Sequence, residues 1–342
     1  MNRQQREFYK LFSEHGSGDA KVVISPQEVL VMLFMATSDL ELPLPNTVNG
    51  IFRETARKGF YNITHEDTDS LPELSVDECF AMMEQCQVTN ISNIAFLYLK
   101  NLCDLYRRRV KYYSILKTQS FPSAEQTVPR SLLEYGNCEN QLLAEWIEWR
   151  KWIFDIDNRS AQETGYVFEP ILASCLGGES VSAKNSPVKR IDENGMPTSN
   201  GRQIDCYIPE TGEVYELKMR VTIAASGQGR FSEEMTFPFE AQKAGLTPVL
   251  VVFDDNDSSL LSKLKKRYSE CGGRYYIGED AWNILKERAG SEMGIFINKY
   301  IYPPINDMEK YLHSSPHDVT LSKQGSKIVI SSENGQYVVD RE

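Results

Sequence analysis

The sequence of 342 residues lacks the features that mark membrane, secreted and zinc-dependent proteins. No run approaches about 18 apolar residues, and the N-terminus has no apolar segment of the kind found in secretory signals. The seven cysteines form no Cys-x-x-Cys pair and only four histidines are present, which argues against a zinc site and against a disulfide framework. We therefore expect a cytoplasmic protein without a membrane span.

Positive charge is also scarce. The formal net charge of −11 argues against DNA binding that is driven by overall charge, although a cleft could still be locally positive. Residues 100–117 form a locally basic stretch, where six Lys and Arg residues are accompanied by one Asp. Tyrosines interleave with them, a composition typical of phosphate contact but equally typical of a solvated helix face. Both interpretations of this basic stretch stay open.

Changes in pattern divide the chain into three parts. Residues 1–130 are predicted to form a mostly helical N-terminal region, which would serve DNA recognition, dimerisation or packing; its first strong helix follows the start signal Ser25-Pro26. Residues 131–303 are predicted to form a mixed α and β domain, and residues 304–342 a tail with a small hairpin. The predicted fold class is therefore α+β, with a mixed sheet and a helical N-terminal region.

The mixed region is predicted to begin with helices. Residues 139–156 have the apolar periodicity of a helix, whose tryptophans we interpret as packing residues, and a second helix is predicted over 161–176, kinked or started late by Pro170. Further on, a helix over about 232–244 and an apolar strand over 248–253 predict a right-handed parallel crossover.

Two short segments of alternating polarity, residues 203–208 and 214–219, flank a turn and predict a β-hairpin. A two-residue loop at Thr211-Gly212 would place Asp205 opposite Lys218. In that register Asp205, Glu216 and Lys218 share one face of the hairpin. The other face is apolar and would pack on a core; it carries Ile204, Cys206, Ile208, Tyr215, Leu217 and Met219.

Two carboxylates and an amine on one rigid face suit phosphodiester hydrolysis. Mg²⁺ prefers oxygen ligands and usually takes one or two protein carboxylates, here Asp205 and Glu216, while the backbone carbonyl of Leu217 could supply a third oxygen. The ion would lower the pKa of a bound water and neutralise charge on the phosphate. The Lys218 ammonium could hold the attacking water or a phosphate oxygen.

The spacing Asp205-x10-Glu216-x-Lys218 resembles the active-site signature of PD-(D/E)XK nucleases, although Ile204 stands where the signature has proline. The order of helix, hairpin strands, helix and strand over about residues 160–255 resembles the core of the same superfamily, and the chain looks most like a type II restriction endonuclease. The resemblance implies a Mg²⁺-dependent enzyme that cuts double-stranded DNA at a specific sequence. It also implies a homodimer and a companion DNA methyltransferase that protects the same site.

Other polar residues near the hairpin are candidates for binding. Glu169, on the helix before the sheet, could be an extra metal ligand or orient the lysine, as acids on that helix do in many members of the superfamily. The remaining candidates would contact DNA, with Gln228 and Arg230 in a glycine-containing loop reading base edges and the others holding phosphates or forming ion pairs. These DNA-binding candidates are Lys189, Arg190, Arg202, Arg220, Gln228 and Arg230.

Two alternatives compete with the restriction enzyme. One is a structure-specific or modification-dependent nuclease of the same superfamily, which would need an added pocket for a flipped or modified base. The other is a non-catalytic DNA or protein interaction module in which Asp205, Glu216 and Lys218 form a surface ion-pair network. Loss of cleavage without loss of folding on replacement of Lys218 would distinguish a nuclease from such a network, since exposed ion pairs contribute at most about 1 kcal/mol.

Overall fold

The computed structural model describes residues 3–14, 21–45, 50–219, 228–255, 258–312 and 318–341. Within these ranges the helices are α1 (Arg3–Lys10), α2 (Pro26–Asp39), α3 (Gly50–Arg57), α4 (His65–Asp69), α5 (Val76–Gln85), α6 (Ile94–Thr118), α7 (Ala124–Ser131), α8 (Asn140–Cys175), α9 (Gln228–Lys243), α10 (Ser259–Glu270), α11 (Glu279–Arg288), α12 (Gly290–Phe296) and α13 (Tyr302–Leu312). Among the described residues, no helix combines the length and the apolar character that a membrane span requires.

The strands form three sheets. They are β1 (Glu179–Val181), β2 (Lys189–Ile191), β3 (Pro197–Gly201), β4 (Ile204–Ile208), β5 (Glu213–Lys218), β6 (Thr247–Val252), β7 (Arg274–Ile277), β8 (Thr320–Gln324), β9 (Lys327–Ser332) and β10 (Gly335–Asp340). The largest sheet has the order β1-β4-β5-β6-β7 and is mixed, with antiparallel pairs up to β5 and parallel pairs beyond it. The predicted α+β fold class is confirmed.

The chain divides into two compact units, one of residues 1–164 with 304–342 and one of residues 165–303. The division falls inside α8, whereas the sequence analysis placed a boundary at residue 131. The prediction of two helices over 139–156 and 161–176 was wrong, because the polar residues between them include no glycine or proline and the helix continues through them. Pro170 lies inside α8.

In the first unit, α2 begins as the sequence predicted. Ser25 is the N-cap, Pro26 takes the first helical position, and Glu28 closes a capping box with Ser25. The residues from Val29 to Thr37 are all buried. Two tyrosines of α6 donate hydrogen bonds to acids at the ends of α2, from Tyr98 to Asp39 (2.8 Å) and from Tyr106 to Glu28 (2.9 Å). The apolar helix α2 is thus at the centre of this unit.

Three of the six cations in the basic stretch of α6 make structural contacts, which neither of the two interpretations drawn from its composition anticipated. Arg107 is 2% exposed, pairs with Asp104 and donates to the carbonyl of Leu11 (2.8 Å). Lys111 is equally buried and lies 3.5 Å from Glu163. Arg109 lies over the ring of Phe60 and donates to nearby backbone carbonyls. These cations hold the unit together instead of facing phosphates or bulk water.

The C-terminal strands complete the first unit. The predicted hairpin is confirmed as β9 and β10, and β8, which the sequence analysis missed, adds a third strand to it. Ile328 and Val339 pack against α6 and against Trp152 of α8. The indole of Trp152 donates to the carbonyl of Gln119 (3.0 Å) and stacks on Phe121, so this tryptophan is a packing residue as predicted.

In the second unit, helices α9 and α10 cover one face of the large sheet, and this is the face that carries Glu216 and Lys218. β5, α9 and β6 form the predicted parallel unit, and β6 is almost entirely buried, as strands covered on both faces are. Side chains of α9 and α10 pack on Val214, Leu250 and Val252 of the sheet; they are Phe237, Ala241, Leu261, Leu264 and Tyr268.

Candidate active site

The β4–β5 hairpin has a different register from the predicted one. Ile208 pairs with Glu213, so the loop is the four residues 209–212 and not Thr211-Gly212 alone. The loop closes with a hydrogen bond from the amide of Gly212 to the carbonyl of Ile208 (3.0 Å), and Gly212 has a φ of 66°. Continuing this register places Asp205 across from Glu216 instead of Lys218.

The shift of register is two residues, so it leaves every side chain on its predicted face, since successive side chains of a strand alternate. Asp205, Glu216 and Lys218 therefore share a face, as expected. The described residues of the opposite face are buried, except for Met219, which is half-buried. The structure thus brings the three predicted site residues together by a pairing that the turn signal did not reveal.

The backbone pairing of β4 and β5 does not extend to the site, where the side chain of Asp205 accepts a hydrogen bond from β5 instead. The regular pairing of β4 and β5 ends at Cys206 and Tyr215. Beyond it, the backbone amide of Leu217 donates to the Oδ2 atom of Asp205 at 2.9 Å. This hydrogen bond fixes the Asp205 carboxylate beside the backbone between Glu216 and Lys218.

Lys218 is held between two carboxylates. Its Nζ atom lies 3.3 Å from Oε1 of Glu216 and 3.0 Å from Oε1 of Glu234, which belongs to α9. The side chain of Lys218 is 16% exposed and that of Glu234 is 11% exposed. Burial lowers the pKa of the Lys218 ammonium, but Glu216 and Glu234 outweigh burial and raise that pKa above its ordinary value. The lysine is therefore a fixed cation at neutral pH.

The surroundings of Asp205 disfavour its charged form, whereas those of Lys218 favour the charged form of the lysine. Burial, together with the charges of Glu216 and Glu169, raises the pKa of Asp205 well above its ordinary value, against the opposing effects of the Leu217 amide and of Lys218. Glu169, proposed from the sequence as a further acid of the site, is thus near enough to Asp205 to influence its charge. The concentration of negative charge favours a bound cation beyond the lysine.

Two further residues belong to the site and were not predicted from the sequence, Glu234 and Tyr268. Glu234 has an Oε2 atom that is buried and has no hydrogen-bond partner among the described residues. Tyr268 of α10 is fully buried, and burial followed by the charges of Glu216, Asp205 and Glu234 raises its pKa. Both residues come from helices that fold over the sheet, so no spacing along the chain links them to the hairpin; the only signal is the acidic pair Glu233-Glu234 in the helix after β5.

Arg202, which was predicted to contact DNA, makes its contacts within the protein. Its guanidinium donates to the carbonyl of Glu233 (2.6 Å), lies 3.3 Å from Glu240 and covers the ring of Phe237. Its side chain is 10% exposed. An ion pair was the predicted alternative to a phosphate contact, and Arg202 forms one with Glu240 of α9. This geometry does not favour a phosphate contact.

The other predicted contacts differ in how far the structure describes them. Arg190 of β2 is 43% exposed and lies 3.2 Å from Glu233, and Lys189 is half-buried in the same strand. Arg220 lies outside the described residues. Gln228 and Arg230, expected in a loop, form the first turn of α9, because the helix begins before the predicted start at about 232. Their side chains are not among those described.

The residues at the site fit a hard divalent cation. Asp205 and Glu216 supply carboxylate oxygens from one face, close enough for the charge of Glu216 to raise the pKa of Asp205. The buried Oε2 atom of Glu234 is a further oxygen that has no hydrogen-bond partner among the described residues. No group of three or more His, Cys, Asp or Glu residues in the described ranges is placed to enclose a metal ion. Mg²⁺ does not need such a cage, since it usually binds one or two carboxylates and completes its shell with water and substrate phosphates.

Comparison with known proteins gives the family. The family model of ApaLI-like restriction endonucleases matches residues 62–302, which include the whole hairpin and the helices around it. The type II restriction enzyme ApaLI of Acetobacter pasteurianus is 42% identical over 267 residues, covering 74% of this chain and 70% of that enzyme. No solved structure matches the chain. The chain therefore belongs to the ApaLI-like restriction endonuclease family, which confirms the restriction nuclease predicted from the sequence.

Proposed function

We propose that this site-specific endonuclease hydrolyses double-stranded DNA with Mg²⁺ at Asp205, Glu216 and Lys218, as a nuclease of the PD-(D/E)XK type. The observation that carries the proposal is the common face of β4 and β5, where the charges of two carboxylates influence each other and a largely buried ammonium lies 3.3 Å from one of them. A surface ion-pair network would be solvated, whereas these groups are largely buried and unequal in number, with more acids than bases.

Each residue has a distinct role in this proposal. Asp205 and Glu216 would hold the ion, with the carbonyl of Leu217 as a further oxygen ligand and Glu169 close by. Bound Mg²⁺ lowers the pKa of a coordinated water and neutralises charge on the phosphate. The amide of Leu217 keeps the Asp205 carboxylate oriented. The raised pKa of Asp205 means that its proton must leave before the carboxylate can bind a cation, so binding should strengthen as pH rises.

Lys218 would act on the reacting groups directly. A cation fixed by two carboxylates cannot rotate freely, so its one remaining N–H bond has a defined direction. Such a pre-oriented donor can hold the attacking water or an oxygen of the scissile phosphate, and it stabilises negative charge that develops in the transition state. The ammonium would stay protonated throughout, because the neighbouring acids raise its pKa.

DNA recognition is proposed to come from residues around the site. Arg190 and Lys189 would contact phosphates from β2, and Arg220 would contact them beyond the end of β5. Gln228 and Arg230 would reach base edges from the start of α9, where amide and guanidinium groups can form paired hydrogen bonds to adenine and guanine. Arg202 would support this surface indirectly by fixing α9.

The biological setting follows from cleavage at a specific sequence. A homodimer would cut the two strands of a palindromic site with one active site each. A companion DNA methyltransferase would protect the same sequence in the host, and the enzyme would act in the cytoplasm, where host DNA and incoming DNA are both found.

The proposal is tested by cleavage of a supercoiled plasmid that carries many candidate sequences. Wild-type protein should cut only when Mg²⁺ is added, and Glu216→Gln, which keeps the volume of the side chain, should bind the plasmid without cutting it. Equal cleavage in EDTA would refute the metal role. Full activity of Glu216→Gln would refute the site, and cleavage restricted to modified or branched DNA would favour the alternative nuclease classes.

A further inference from the structure

A large apolar surface lies exposed on the helical unit, around the junction of α7 and α8. We call it the α7–α8 patch. Its members are large apolar residues in one short stretch of chain, and each is more than two fifths exposed. They are Val128, Leu132, Leu133, Tyr135, Leu142, Trp146, Ile153 and Phe154. Leu133 is 92% exposed and Leu132 is 79% exposed. Single exposed apolar residues are ordinary, but eight of them between residues 128 and 154 are not.

The patch includes a regular stripe on α8. Leu142, Trp146 and Ile153 recur at spacings of four and seven residues, which places them along one side of the helix. The neighbouring positions Leu143 and Ile147 are buried. Helix α8 is therefore apolar on two adjacent sides. Its own chain covers the side of Leu143 and Ile147, and on the other side it packs Trp149 against Phe121 and Trp152 but leaves Leu142, Trp146 and Ile153 exposed. Apolar residues at such spacings are typical of helices that pack against another helix.

The patch also contains a groove beside a protrusion. Between α7 and α8 lies a groove of about 410 Å³, lined on one side by Val128 and Tyr135 and on the other by Leu143 and Ile147. The exposed Leu132 and Leu133 follow directly after α7. A surface that carries both an apolar groove and protruding leucines can be complementary to itself, as a two-fold symmetric interface requires.

The extent of the patch matches what a stable dimer needs. Its three aromatic side chains are between 53% and 69% exposed, so at about 200 Å² each they leave roughly 350 Å² in water. The five aliphatic members add an area of the same order. Stable interfaces bury about 800 Å² on each partner, so burial of the patch with its polar rim would reach that size. Arg150, which covers the Trp146 ring and pairs with Glu134, provides a polar rim.

We propose that the α7–α8 patch is the surface through which a second copy of this chain binds, by a two-fold packing of α8 against α8 with Leu132 and Leu133 of each copy against the groove of the other. The choice of a second copy as partner rests on the proposed function, because one chain carries one site and a duplex has two strands to cut. The patch lies entirely within the first unit, and its existence does not depend on the chemistry of the hairpin.

The proposal is tested by the mass of the full-length protein in solution, measured by light scattering at micromolar concentration without DNA or Mg²⁺. The wild type should have twice the 39.0 kDa mass of the chain. The double variant Leu133→Asp/Trp146→Glu should have the mass of one chain. Both residues are exposed, so circular dichroism should show an unchanged fold. Val319→Asp is the matched control: Val319 is 60% exposed, lies in the same unit outside the patch and should leave the dimer intact.

A monomeric wild type, or a double variant that stays dimeric, would overturn the proposal. Plasmid cleavage gives a second readout. The wild type should convert supercoiled plasmid directly to linear product, and the double variant should accumulate nicked circles first. The two proposals fail differently: a dimer that cuts no DNA would contradict the proposed function and leave the interface standing, whereas an active enzyme that remains monomeric would contradict the interface alone.

Discussion

Replacing Lys218 by methionine removes one ammonium from a group of carboxylates and keeps the length of the side chain. In the wild type that ammonium lies 3.3 Å from Glu216 and 3.0 Å from Glu234. Without it, the buried acids at the site have no lysine to offset their charge. We expect Lys218→Met to lose cleavage by a factor of at least about 10²–10³, the usual effect of removing a donor that stabilises the transition state.

The variant should also be less stable in the absence of metal. Removing one partner of a buried ion pair costs about 3–5 kcal/mol, and the lower value applies here because Lys218 keeps some contact with water. Part of this loss should be recovered when Glu234 is neutralised as well. We expect Lys218→Met/Glu234→Gln to be more stable than Lys218→Met, with a coupling free energy of roughly 1–2 kcal/mol between the two positions.

Urea unfolding of the wild type, both single variants and the double variant in EDTA measures this coupling. Lys111 and Glu163 lie 3.5 Å apart, both in the first unit, and offer a control pair away from the site. Lys111→Met should be destabilised but should not be rescued by Glu234→Gln. Coupling below about 0.5 kcal/mol between Lys218 and Glu234 would refute the reasoning that Glu234 fixes the lysine.

Three further predictions concern single side chains. Because the folded state raises the pKa of Asp205, the wild type without metal should lose stability as pH rises through that pKa. In EDTA at neutral pH, Asp205→Asn should therefore be more stable than the wild type. Unfolding measured over a range of pH should show that this difference disappears in acid. Arg230→Ala or Gln228→Ala should reduce discrimination between cognate and altered sites by about 1–3 kcal/mol, measured as relative binding; unchanged discrimination in both would place recognition elsewhere. Arg202→Ala should lower the unfolding midpoint through its lost contacts with α9, and an unchanged midpoint together with weakened DNA binding would restore it as a phosphate contact.

The core of the site could be predicted because side-chain alternation in strands survives an error in register. The sequence placed Asp205, Glu216 and Lys218 on one face, and a shift of two residues left them there. The loop length could not be predicted, because Thr211-Gly212 satisfies a two-residue turn as well as the end of a four-residue one. Gly212 adopts a positive φ in the observed loop, so the glycine signal was real but did not fix the count.

Residues that reach the site from other elements could not be predicted. Glu234 and Tyr268 depend on how α9 and α10 pack over the sheet, and the sequence does not give the rotation of either helix about its axis. The same limit explains the basic stretch of α6. Composition describes how many cations a segment has, but Arg107 and Lys111 are buried by partners that are distant in sequence, Leu11 and Glu163.

The most direct test of the account is the digestion of phage DNA by purified protein, with Mg²⁺ and with EDTA, beside an Asp205→Asn variant that is shown to be folded. The account predicts discrete fragments with a common end sequence for the wild type in Mg²⁺ only, and no fragments for the variant. Discrete fragments from Asp205→Asn, or from the wild type in EDTA, would contradict the claim that the β4–β5 hairpin holds the metal-dependent active site.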